Sequence, residues 1–219
     1  MLEDVKKSIR EKFPTLNIVV ENDIVFIRGI LLLPEDIDEF IIEIELLEDY
    51  PDSIPIVRET GGRIPHGKRH VFTHGDCCLF VREETWKHYP KGTTIIDFLN
   101  KIVVPYFLAQ ACFEITGKWL WGERSHDIYG ILESYKEELK TNDIKLILRF
   151  IEYLAKSTLK KYRICYCGSK KKLQNCHYQT LKNYREKISQ RIAKDSLILW
   201  FTELKRLENV KITEQQMIK

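Results

Sequence analysis

The chain has 219 residues, 44% hydrophobic and 31% charged, enough for one domain of ordinary size plus a smaller appendage. Its net charge of +3 is too small, taken over the whole chain, to argue for a nucleic-acid partner. The N-terminus carries Glu3 and Asp4 with no apolar run behind them, and Ile30–Leu33 is too short to cross a bilayer, so neither a secretory signal nor a membrane partner is expected. In a cytoplasmic protein thiols stay reduced, which makes the six cysteines ligands, nucleophiles or core residues before disulfides.

The first predicted element is a short amphipathic helix, Leu2–Phe13, stopped at Pro14. Three β-rich runs follow, Leu16–Val20, Ile24–Leu33 and Glu39–Leu47, with turn chemistry at Asn22-Asp23 and Pro34-Glu35-Asp36. In the third run Ile42, Ile44 and Leu46 alternate with Glu43 and Glu45, the pattern of a strand with one buried face. An antiparallel meander laid against the helix is expected. From Pro51 to Pro90 the periodicity breaks up, and four of the six histidines lie there: His66, His70, His74 and His88. Order returns at Thr93 or Thr94, a good N-cap, before Ile95, Phe98, Leu99, Ile102, Val103 and Tyr106 at helical spacing, with a bend expected at Pro105. A further helix should start near Asn142-Asp143, with Ile144, Ile147, Leu148, Ile151 and Leu154 on one face, and a last one should run from about Tyr178 past Phe201. The fold class is α+β, divided into a domain over residues 1–140 and a helical extension over 141–219.

The chemistry concentrates in His74-Gly75-Asp76-Cys77-Cys78-Leu79. A nucleophilic cysteine needs an accessible loop and nearby positive charge or dipoles that lower its pKa from about 8.5. It also needs donors for the oxyanion formed at the attacked carbonyl. Lys68, Arg69 and the histidines supply the first requirement by composition. In an extended segment the side chains of Cys77 and Cys78 point to opposite sides, so Cys77 is read as structural.

Tyr50-Pro51 followed by Pro55, then Gly75-Asp76-Cys77-Cys78-Leu79, then Trp86 and a Thr-Ile helix, resembles the ubiquitin-conjugating enzymes over roughly Met1 to Gly117. The resemblance implies that family's fold, an N-terminal helix, a β-meander, a cysteine loop and C-terminal helices. It also implies that Cys78 is the nucleophile of a Gly-x-x-Cys-Leu motif. The family's His-Pro-Asn tripeptide is absent. The loop from Gly61 to His70 instead looks like that of bacterial relatives found in ubiquitin-like and anti-phage operons, and His70 is the candidate for the missing polar role. His66 and His88 are read as lining a polar loop. In Gly117–His126 the two tryptophans, Trp119 and Trp121, are expected to pack on the core while Ser125-His126 start a helix; the functional reading is a loop that contacts a partner or borders the active site.

The most specific motif is Cys165-Tyr166-Cys167-Gly168, followed by Cys176-His177: four soft or borderline ligands within thirteen positions, suited to tetrahedral zinc. It resembles the SEC-C motif ligand for ligand. A closed site of Cys165, Cys167, Cys176 and His177 leaves no open position, so the Zn2+ would be structural, and a segment this small would draw its folding energy, about 10 kcal/mol, from the metal. Between Lys156 and Lys194, ten cations stand against one acid, Glu186, so the module is read as a basic docking surface, the one place that would touch nucleic acid.

The leading expectation is a transferase. Cys78 would carry the C-terminal carbonyl of a ubiquitin-like or other modifier protein as a thioester, received from an activating enzyme and passed to an amine of a target protein. The competing readings are a non-catalytic adaptor that uses the same fold and the basic module to bind protein or RNA, and, ranked last, a cysteine hydrolase pairing Cys78 with a histidine.

Overall fold

The computed structural model describes residues 2–122, 125 and 127–217, and the chain divides into two compact units. One comprises Met1–Phe80 and Lys87–Glu123; the other comprises Val81–Trp86 and Arg124–Lys219. His126, read from sequence as part of a helix start, lies outside the described residues.

The first unit opens with helix α1, Leu2–Lys12, which has Glu3 and Asp4 in its first turn and Arg10 and Lys12 in its last, both favourable to the helix dipole. It ends where Pro14 disfavours a helical conformation for Phe13. Strands β1 (Leu16–Glu21), β2 (Ile24–Leu32), β3 (Glu39–Leu46) and β4 (Ile56–Glu59) form one antiparallel sheet in the order β1-β2-β3-β4. Glu21 pairs with Ile24, so the β1–β2 turn is only Asn22-Asp23, and both residues are left-handed, as a tight hairpin of native twist requires. Gly29 (φ +146°) lies where a Cβ would come within 2.2 Å of the Thr15 carbonyl oxygen, a close approach only glycine allows. In β3, Phe40, Ile42, Ile44 and Leu46 are buried while Glu43 and Glu45 face outward. On that outer face Arg28 pairs with Glu21 and Glu43, and Arg58 with Glu43, Glu45 and Asp76.

Helix α2, Ile95–Thr116, starts at Thr94, whose hydroxyl accepts the Asp97 N–H. It is the one helix among the described residues long and apolar enough to cross a membrane, but 56% of its apolar window is buried in the protein. Phe98, Leu99, Val103 and Phe107 pack fully buried into the core with Ile27, Ile42 and Ile44, each contributing about 1.5–3 kcal/mol of burial. Pro105 lacks an N–H and crowds the carbonyl four residues back. A widened π turn, Leu99–Val103, precedes it, and the Val104 N–H reaches back five residues to the Leu99 carbonyl.

The second unit is helical: α3 (Asp127–Leu139), α4 (Ile144–Ala155), α5 (Tyr178–Lys187) and α6 (Gln190–Met217). Helix α3, which falls before residue 140, belongs to this unit, where Ile128, Leu132 and Tyr135 share a core with Ile147, Phe150, Ile151 and Leu154 of α4. Asp143 caps α4, its carboxylate accepting the Lys145 and Leu146 N–H groups. The single last helix expected from sequence is two helices. Ile188 turns into extended conformation, sinks into the core, and leaves Ser189 to start α6 by accepting the Ile192 N–H on its hydroxyl.

Glu83 is buried in this unit. The Ser196 hydroxyl donates to one of its carboxyl oxygens at 2.5 Å, while the other oxygen and the buried Tyr135 hydroxyl have no hydrogen-bond partner. Burial holds the Glu83 carboxyl above its ordinary value of 4.5, against the opposing effect of Ser196. With a raised folded pKa, stability is fully present below the unfolded value and is lost as pH rises through the folded one. Glu83→Gln should therefore raise the melting temperature at pH 7–8, with the gain fading as pH falls toward 4.5 in a thermal-melt series. A gain that stays constant across that range would show that Glu83 is not the titrating cause.

Candidate cysteine site and metal centre

The long loop after β4 is organised by buried polar groups. The Glu59 carboxylate accepts the backbone N–H groups of Gly61 (2.7 Å), Arg63 (2.9 Å) and Ile64 (3.1 Å). Arg63 then pairs with Asp38 and Glu114 and lies over the Phe40 ring. Further along, Arg69 (φ +51°) and His70 (φ +57°) are consecutive left-handed residues, a conformation costing about 1–2 kcal/mol each without glycine. Such strain persists only where the surroundings over-determine it.

Here they do. Gln110 of α2, fully buried, donates its side-chain N–H to the Arg69 carbonyl at 2.6 Å, and its amide oxygen accepts from Arg69 Nε at 3.1 Å. The same guanidinium reaches Glu114 at 2.8 Å. One turn earlier on α2, the Tyr106 hydroxyl donates to the His70 carbonyl at 2.8 Å. That carbonyl also accepts the Cys78 N–H at 2.7 Å. His70 thus meets Cys78 through its backbone, and its imidazole stands edge-on against Trp119, with ring centroids 4.6 Å apart.

Cys77 pairs in a short bridge with Val71, and its N–H donates to the Val57 carbonyl at 2.7 Å. Its thiol is buried beside the Tyr106 hydroxyl, and burial pushes it up to about 12, so it remains a neutral core group at physiological pH. The alternation of side chains leaves Cys78 half-buried, on the more accessible side. Neither cysteine is in a disulfide.

The other candidates in the loop separate by role. The His66 ring lies under Gly75, where a Cβ would come within 3.0 Å of it. His74 stacks on Phe72 and sits 3.2 Å from Asp76, and His88 stacks on Phe80. The tryptophans do not behave alike. Trp119 stacks on Phe113 and borders His70, whereas Trp121 is exposed, a correction to the expectation that both pack on the core. Sequence reading missed Gln110 and took Tyr106 as one more apolar helix position. Their i, i+4 spacing inside an otherwise apolar helix was the available signal.

In the second unit Cys165, Cys167, Cys176 and His177 come together, all four ligand atoms lying within 4.8 Å of one another. Cys167 Sγ is 3.6 Å from Cys176 Sγ, and His177 Nδ1 is 3.3 Å from Cys165 Sγ and 3.1 Å from Cys176 Sγ. Metal–ligand distances of about 2.3 Å to sulfur and 2.0–2.1 Å to nitrogen give tetrahedral edges of roughly 3.5–3.8 Å, close to these separations. The donor set therefore fits a tetrahedral metal ion. Gly168 (φ +78°) makes the turn between the ligand pairs, with its N–H directed to the Cys165 carbonyl. The Cys165 N–H then donates to the Lys171 carbonyl, and the Leu173 N–H to the Arg163 carbonyl. The segment is not a free-standing bead. Cys165, Tyr166 and Leu173 are buried in the helical core, and the Tyr166 ring meets Phe150 edge-on.

Compared with protein-family models, curated proteins and solved structures, the chain shows no match.

Two outcomes follow. Replacing Gln110 with Leu should cost about 2 kcal/mol in urea unfolding, because it leaves the Arg69 carbonyl and guanidinium short of partners; a change under 0.5 kcal/mol would mean that the loop does not depend on the clamp. Protein purified without chelator should contain about one metal ion per chain by elemental analysis, and Cys176→Ala should lose it and lower the melting temperature of the helical unit.

Proposed function

We propose that the protein is a cysteine-dependent conjugating transferase resembling the ubiquitin-conjugating enzymes, with a structural zinc ion held by Cys165, Cys167, Cys176 and His177. The observation that carries this reading is the arrangement at Cys78. A half-buried thiol lies at the end of a strained, tightly tied loop, next to a buried cysteine that serves as core. The order helix, four-stranded antiparallel meander, cysteine loop, helix supports the same reading.

In this proposal the Cys78 thiolate attacks the activated C-terminal carbonyl of a ubiquitin-like or other modifier protein. The thiol of the activating enzyme leaves, and a thioester forms on Cys78. An amine of the target then attacks that thioester, an amide forms, and the Cys78 thiol is released. His70 is a positioning residue, since its carbonyl holds the Cys78 backbone. Zinc closes a four-ligand site and adds no open coordination position to the reaction.

One feature favours the adaptor reading. The Cys78 N–H is already engaged by the His70 carbonyl and so does not point at a developing oxyanion. The two readings part on one experiment. Incubation with an activating enzyme, modifier and ATP should give an adduct on the wild type that reductant removes, a more stable ester on Cys78→Ser, and none on Cys78→Ala. Zinc should be the metal found. A normal adduct on Cys78→Ala would overturn the assignment of the nucleophile. An unaltered phenotype of Cys78→Ala, with function lost on changing Lys170, Lys171 and Lys172 to Glu, would select the adaptor.

A further inference from the structure

Beyond the last turn of α4 the chain folds back on itself and lines a half-open cleft of about 210 Å3. Three cations line it, Lys156, Lys160 and Arg163, with the hydroxyl residues Ser157 and Thr158 and the side chain of Tyr153, and no carboxylate contributes to the lining. A helix C-terminus normally disfavours anions, because its last carbonyls carry partial negative charge. Three carbonyls at and just beyond this helix end have donors here. Gln190 donates to Ala155 at 2.8 Å, and Arg185 donates to both Lys156 and Ser157.

The Lys156 side chain is placed by an aromatic ring, and backbone bonds fix the segment that carries Lys160 and Arg163. Lys156 Nζ lies 4.0 Å from the centre of the Tyr153 ring, and the Tyr153 hydroxyl donates to the Ile164 carbonyl at 2.5 Å. The Arg163 N–H bonds the Lys160 carbonyl at 3.1 Å, and the Lys161 and Arg163 carbonyls accept Gln174 and Leu173 N–H groups from the metal-binding segment. Among the described residues none of Lys156, Lys160 and Arg163 is in an ion pair. Lys156 titrates below the usual lysine value, first because of burial and then because of the Arg163 charge, and Glu152 offsets this only in part. Two like charges held together beside an open cleft are stabilised by an anion between them.

We propose that this cleft binds a single phosphate group carried by a small soluble molecule. The cleft, about 210 Å3 and open on one side, has room for one tetrahedral oxyanion whose carrier extends out of the opening. Arg163 supplies forked donors suited to a phosphate, and the two lysines add point charges. The site stands independently of any reaction at Cys78.

The test uses the full-length, metal-loaded protein and inorganic phosphate as probe, titrated calorimetrically at pH 7.5 with ionic strength held constant by sodium chloride. Saturable one-to-one binding is expected, accompanied by a rise in melting temperature. Lys160→Ala combined with Arg163→Ala should weaken it at least tenfold, whereas Lys170→Ala combined with Lys171→Ala, outside the cleft, should change it less than twofold. Both cleft side chains are exposed, and circular dichroism and metal content verify the fold; if Arg163→Ala disturbs the metal, Lys160→Gln alone decides, with a loss of threefold or more expected. Phosphate acting no differently from chloride would overturn the site. So would equal losses from both lysine-containing pairs. Tighter binding of a single-stranded oligoribonucleotide without a terminal phosphate, with a steep salt dependence, would replace the discrete site by an extended polyanion surface.

Discussion

Gln110 and Arg69 exchange hydrogen bonds between the core helix and the loop that carries the cysteines, and the shape of that loop depends on this exchange. Residues 60–78 have almost no regular structure of their own, so their backbone groups must find partners elsewhere. Glu59 takes three of them at the start of the loop, and the clamp on Arg69 and His70 takes the strain at its middle. The His70 carbonyl then passes the geometry to Cys78 and to Tyr106 at once. A buried amide in an apolar helix is expensive unless fully satisfied, and this one is satisfied by the residue it restrains.

The helical unit solves a different problem with a similar device. Its candidate metal-binding segment is short and basic, with too few apolar residues to fold alone, yet Cys165, Tyr166 and Leu173 are shared with the core built by α3 and α4. A metal ion held there would therefore act on the same residues as the core. The expectation that the metal alone holds the segment needs amendment on this point, because burial of Tyr166 and Leu173 contributes stabilisation of its own.

Elements with a long, one-sided pattern were legible in the sequence. Helix α1, strands β1 to β3, the start of α2 at Thr94 and the cap of α4 at Asp143 all fall where periodicity and capping residues placed them. Strand β4 was not legible, since four residues after Pro55 offer only two inward positions, Val57 and Glu59, and one of them is an acid. The break between α5 and α6 was hidden because Ile188 suits a buried helix face as well as the buried extended residue it is. The four metal-ligating candidates were readable because they are local. The clamp was not, because Arg69 and Gln110 lie 41 residues apart and neither carries a local motif.

The π turn ahead of Pro105 also sets the rotational phase of α2. Each helical residue turns the side-chain direction by about 100°, so one extra residue in a turn re-aims everything after it. Before the turn the buried residues are Ile95 and Phe98, within it Leu99, Ile102 and Val103, and after it Phe107, Ala109, Gln110 and Ala111. An uninterrupted α-helix would carry the series begun by Ile95 and Phe98 toward Tyr106 and Phe113 and would turn Phe107 and Gln110 together by about 100° relative to it. After the turn the helix serves two neighbours at once, the sheet through Phe107 against Phe40 and the cysteine loop through Tyr106 and Gln110.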